Sequence, residues 1–170
     1  MEQAGIADVY ELDWGESVSL SGTVTVTMVP AQHFSSRGLW DRNKALWGGF
    51  VISGPSGNVY FAGDTGYGPH FAEIARRFSP ITVAILPIAP FRPNRPDQSR
   101  SGVHMGPVAA VMAHKVLGAK LSIAAHFQVF QLGPEGFDDA VNGLAQALKE
   151  GNLAPGVFIA PVPGQVFEPS

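Results

Sequence analysis

Cysteine is absent from the 170 residues, which excludes disulfides and thiolate metal ligands and leaves His, Asp and Glu to bind any metal. Charge is also scarce. Lys, Arg, Asp and Glu make up 15% of the chain, low for a free-standing surface and in keeping with one partly covered by something else. The 11 basic residues are outnumbered by 14 acidic ones, for a net charge of -3, so there is no basic footprint and nucleic acid is not an expected partner. No apolar run approaches the roughly 18 residues of a transmembrane helix, and the amino end carries acidic residues where a secretory signal has basic ones. The expected location is the cytoplasm, with peripheral contact to a membrane as the alternative. Short-period repeats, low-complexity tracts and dividing linkers are missing too, so residues 1–170 read as one domain or a large part of one.

Hydrophobic residues, at 45%, can furnish a sizeable core, and they fall in strand and helix patterns that alternate along the chain. Thr23 to Val29 alternates in period two. Leu46 to Ser53 is an apolar strand, and Pro55-Ser-Gly-Asn58 supplies turn chemistry before Val59 to Ala62, so these three read as a meander. Phe71, Ile74, Ala75 and Phe78 recur at helical spacing, predicting a short helix from Pro69 to Phe78, with His70 facing solvent at its start. Val83 to Leu86 is a buried strand. Pro107 to Leu117 is a helix with Val108, Val111 and Met112 inward and His114 structural; Leu121 to Ala125 is the next strand. Phe137, Ala140, Val141, Leu144 and Leu148 stripe a last helix that Gly151 can cap, and Val157 to Ala160 closes as a strand. Together these imply an α/β (α+β mixed sheet) fold. Only Pro87 to Gly106, with Phe91-Arg-Pro-Asn-Arg-Pro-Asp97, lacks periodicity, and a loop of that length tends to be functional or disordered.

His33, Asp64 and His126 each lie at the end of an apolar run. Neutral imidazole and carboxylate are ligands that zinc and its first-row neighbours favour, and a strand end is a rigid mount for them. Each has a plainer reading alone. His33 can be a surface-turn histidine, Asp64 a turn aspartate bonded to its own backbone, and His126 a structural histidine. The joint pattern, one ligand type per strand end, favours a metal.

The residues Pro30-Ala-Gln-His-Phe-Ser-Ser-Arg-Gly38, Asp41-Arg-Asn43, Leu46-Trp-Gly-Gly49, Phe61-Ala-Gly-Asp-Thr-Gly66, Leu86-Pro-Ile88 and the His104 to Leu117 segment together resemble one family. It is the N-acyl-phosphatidylethanolamine-hydrolysing phospholipase D-like family of the metallo-β-lactamase fold superfamily. The resemblance implies a four-layered αββα sandwich with a binuclear metal site between its sheets, this chain being the C-terminal half. By position, His33 resembles a histidine on one metal, Asp64 the bridging carboxylate and His126 a histidine on the second. His104 resembles a substrate-site histidine that assists proton transfer or binds phosphate; its alternative is a surface histidine before a helix.

The chain departs from the family pattern in two places. His126-Phe-Gln-Val-Phe130 stands where the family has His-Trp-Gly-Thr-Phe, which changes the surroundings of a ligand. No His-x-His-x-Asp-His run occurs, so the two Zn2+ ions of the complete enzyme would each find only two protein ligands here. Val9-Tyr-Glu-Leu-Asp-Trp14 reads as family sequence continuing from upstream. Two functions follow. The first is a metal-dependent hydrolase acting on a small-molecule or lipid phosphodiester, or another ester or lactone, through catalytic Asp64 and His104, and inactive in this half alone. The second is a non-catalytic half-domain that self-associates and binds metal weakly or not at all. Either implies a homodimer or association with the N-terminal half, because an uncovered apolar sheet face promotes pairing.

Overall fold

A computed structural model describes residue 5 and residues 7–91, 102–130 and 133–167. The elements are β1 (Ser17–Ser21), β2 (Val24–Val29), β3 (Gly49–Gly54), β4 (Gly57–Phe61), α1 (His70–Phe78), β5 (Ile81–Pro87), α2 (Pro107–Leu117), β6 (Leu121–Ala125), α3 (Asp139–Glu150) and β7 (Phe158–Ile159). The described strands form one seven-stranded sheet in chain order. Antiparallel pairing joins β1 to β4, and parallel pairing joins β4 to β7. It follows that β2, β4, β5 and β6 run in the same direction, and their carboxyl ends share one edge of the sheet. The meander and the strand-helix alternation are as the sequence patterns imply, within a few residues at each boundary.

One face of the sheet is covered by helices. Val51, Tyr60, Ala84, Ala124 and Phe158 from the strands meet Phe71 and Ile74 of α1, Ala109, Ala110, Ala113 and Leu117 of α2, and Leu144 of α3 in one core. Alanines on α2 let it sit close between α1 and α3. Burying a large apolar side chain contributes roughly 1.5–3 kcal/mol, so the fully buried Phe71, Leu86, Ile88 and Met105 hold this layer together. The other face is open: Phe50, Ile52 and Phe61, one residue out of phase with the buried Val51–Tyr60 pair, are 36%, 39% and 42% exposed.

Four expectations are corrected. Val108 and Met112 face outward, because α2 buries Ala109, Ala110, Ala113 and Leu117 instead; Val111 is buried as expected. Phe137 is exposed and precedes α3, so it is no part of that helix's stripe. Leu46 is exposed and lies ahead of β3, whose pairing with β2 begins at Gly49. His70 is buried rather than solvent-facing, for a reason that lies in the site. β1, Ser17-Val-Ser-Leu-Ser21, alternates polar and apolar residues but is not among the expected strands; it is mostly exposed and pairs along the edge of β2. Within Pro87 to Gly106, residues 92–101 lie outside the described residues.

Candidate metal centre

The loops that follow β2, β4 and β6 leave the same edge of the sheet, and this brings His33, Asp64 and His126 together. His126 Nε2 lies 2.9 Å from Asp64 Oδ1, and His33 Nε2 lies 4.0 Å from Asp64 Oδ2. His104 comes from the turn ahead of α2 and closes the group. Its ring centroid is 5.0 Å from that of His33 and 5.4 Å from that of His126. Ligating atoms of His33, Asp64 and His104 all lie within 4.8 Å of one another. The sequence reading gave His104 a substrate-side role apart from His33, Asp64 and His126; in the structure its ring lies beside theirs.

Hydrogen bonds fix which nitrogen each imidazole presents. His33 Nδ1–H donates to the Phe34 carbonyl (2.8 Å) and His126 Nδ1–H donates to the Ala89 carbonyl (2.9 Å), so in the neutral rings Nε2 carries the free lone pair. Among the described residues, His33 Nε2 and His104 Nδ1 are buried with no hydrogen-bond partner. Unpartnered buried nitrogens of this kind are costly to maintain unless something else meets them. Burial above all, then the neighbouring His33 and His126, push the His104 pKa below its ordinary value, with Asp64 opposing; the imidazole is held in its neutral, ligating form. His126 sits at φ 60°, a left-handed conformation uncommon for a residue other than glycine. Hard and borderline donors, two bare nitrogens and a carboxylate suit a divalent first-row ion.

Behind these side chains, Gln32 and Thr65 join the loops. Gln32 N–H donates to Thr65 Oγ1 (2.9 Å), the Gln32 carbonyl accepts from Gly66 N–H (3.0 Å), and Gln32 Nε2 donates to the Gly102 carbonyl (2.9 Å). Thr65 Oγ1 donates to the Gly66 carbonyl (2.8 Å), which leaves its lone pairs to Gln32 N–H and to His70 Nε2–H at 3.2 Å. That bond is why His70 is inside, and desolvation drops its pKa to about 4. A Cβ on Gly66 would collide with the Gly102 carbonyl, so only glycine lets the Asp64 loop lie this close to the loop bearing His104. The supporting roles of Gln32, Thr65 and His70 went unread in the sequence, although Pro30-Ala-Gln-His33 and Gly63-Asp-Thr-Gly66 contain two of them. His114 is structural as expected, buried and bonded through Nδ1 to Ser122 Oγ at 2.8 Å. Beside His126 opens a pocket lined by Ala89, Phe127, Val129, Phe130 and Phe137 with Glu135.

A family model described as a beta-lactamase superfamily domain matches residues 1–127. An uncharacterised Mycobacterium tuberculosis protein is 34% identical over 165 residues, 95% of this chain and 42% of that protein. N-acyl-phosphatidylethanolamine-hydrolyzing phospholipase D 1 of Caenorhabditis elegans is 37% identical over 133 residues, 76% of this chain and 36% of that protein. Among solved structures, the metallo hydrolase Igni18 from the archaeon Ignicoccus hospitalis superposes with a TM-score of 0.70 at 22% identity, covering 96% of this chain and 61% of Igni18. The chain thus spans less than half the length of these two curated relatives. By the family match over residues 1–127, and with a mixed sheet and helical layer like those of metallo-β-lactamase fold structures, the chain belongs to the beta-lactamase superfamily domain family.

Proposed function

We propose that this chain carries part of the metal centre of a hydrolase that cleaves a phosphodiester, with zinc as the ion. The observation that supports it is the convergence of His33, Asp64 and His126 from three strand ends, with the Nε2 atoms of the two histidines 4.0 Å and 2.9 Å from the two Asp64 carboxylate oxygens. Bound zinc would supply a hydroxide nucleophile near neutral pH and Lewis acidity toward the attacked phosphorus. Asp64 offers one oxygen to the His33 side and the other to the His126 side, the arrangement a bridging carboxylate needs. His104 Nδ1, buried and unpartnered, is placed to accept a proton or a hydrogen bond from substrate, and its neutral form leaves it free to do so. The apolar pocket beside His126 is placed to take a hydrophobic substituent, in line with a lipid-like phosphodiester.

The carrying experiment is Asp64→Ala. Elemental analysis of parent and variant after exhaustive dialysis should show zinc retained by the parent and lost by the variant. Equal zinc in both would refute the assignment.

A second reading is favoured by the open sheet face with Phe50, Ile52 and Phe61. Here residues 1–170 act as a half-domain that covers this face with a second copy or with the other half of a sandwich. Sedimentation should show an associated species, and a stable, well-folded monomer would count against it.

A further inference from the structure

The loop between His33 and β3 ends in a tip that nothing among the described residues covers. Leu39 is 91% exposed and Trp40 87% exposed, against a core in which residues of this size are hidden. The tip is shaped rather than slack. Asp41 Oδ1 accepts from the backbone N–H groups of Arg37 (3.0 Å) and Gly38 (2.8 Å), and Asn43 N–H donates to the Ser35 carbonyl (2.7 Å), closing the neck. These amide bonds also hold the Asp41 pKa down, so the carboxylate is ionised and occupied with its own loop. Arg37, Arg42 and Lys44 flank the two apolar side chains, giving the segment a local charge of +2 (three cations less Asp41) on a chain of net charge -3. An apolar pair flanked in sequence by cations has the chemistry of a bilayer interface. Leu and Trp enter the boundary between headgroups and acyl chains, and Lys and Arg meet anionic headgroups.

The tip is also coupled to the metal centre. Arg42 lies over the Phe34 ring, 4.3 Å from its centroid, and Phe34 stacks on His33 at 4.8 Å. We propose that the Leu39–Trp40 loop is a membrane-docking element for a lipid surface carrying anionic headgroups, and that it seats the His33 side of the metal centre at that surface. Docking of this kind requires no bound metal, so it stands or falls separately from the hydrolase reading. The other occupant, a protein surface, is set against the lipid one by charge: the exposed Phe50, Ile52 and Phe61 on the open sheet face have no Lys or Arg beside them in sequence.

The test is flotation of the metal-free chain with vesicles of phosphatidylcholine alone and of phosphatidylcholine with about a third phosphatidylglycerol. Trp40 emission is followed in parallel, with Trp40→Phe to assign the signal. The chain should float with the anionic vesicles with a blue-shifted Trp40. Leu39→Ser/Trp40→Ser should weaken partition roughly tenfold or more, and Arg37→Gln/Lys44→Gln should erase the preference for anionic lipid. Residues this exposed can be exchanged without harm to the fold, so thermal midpoints should be unchanged in both double variants. Equal partition of parent and Leu39→Ser/Trp40→Ser would overturn the proposal. So would failure of the parent to float, or a parent that self-associates through the tip while vesicle binding is indifferent to it. Lipid binding with no zinc retention would leave docking standing and sink the hydrolase reading; zinc retention without lipid binding would do the reverse.

Discussion

Gln32 shows how much of this site is carried by a residue with no chemistry of its own. Its backbone pairs with the Asp64 loop and its side chain reaches the Gly102 carbonyl beside His104, so one residue sets two loops relative to His33. Gln32→Leu keeps the backbone bonds and removes the side-chain donor. Zinc affinity, measured by competition with a chromophoric chelator, should fall by about 10-fold or more, as supporting hydrogen bonds behind metal ligands commonly give. His70 makes a second prediction, in pH. Its folded pKa of about 4 lies below the ordinary 6.5, so unfolding takes up a proton between those values. Stability is therefore full above about pH 6.5 and lost as pH falls toward about 4, by the order of 2–3 kcal/mol from this residue. Urea unfolding across that window should show the decline. His70→Gln, which keeps a donor for Thr65, should shrink it by about that amount, the remainder including His114, whose pKa burial lowers in the same sense.

Among the elements, two glycines separate stability from site geometry. Gly57 opens the β3–β4 hairpin at φ 114°, and a Cβ there would strike the Thr82 side chain on neighbouring β5. Gly57→Ala should cost about 2 kcal/mol in urea unfolding and leave zinc affinity nearly unchanged. Gly66→Ala should instead push the Gly102 backbone away and cut zinc affinity, because it acts where the Asp64 and His104 loops touch. The reverse pattern would show that these loops are not set by their mutual packing. The helices show where pattern reading stops. Period and turn chemistry located α1, α2 and α3, but not which side of α2 is inward, since Val108 and Met112 look more suited to a core than its alanines. Close approach of α2 to α1, α3 and the sheet favours small residues, and that spacing is a property of the packed layer.

For the whole molecule, the decisive feature is a sheet covered on one side. Ile52→Lys/Phe61→Lys places charge on the open face, where both side chains are already part-exposed, and should reduce self-association in sedimentation without lowering the thermal midpoint. Unchanged association would place the contact elsewhere. The low charge of the chain, 15%, agrees with a surface of which part is meant to be covered.

The amino-acid sequence alone marked every helix and every strand but β1, and singled out His33, Asp64 and His126, because alternation, turn residues and ligand types are local features written in consecutive positions. That these ligands meet was decided by strand direction: β2, β4 and β6 run the same way, so residues separated in sequence leave from one edge. Tertiary structure also decided that His104 stands among them, that Gln32 joins their loops and that His70 is buried behind Thr65. Those facts depend on contacts between distant segments, and no local pattern of side chains records such contacts.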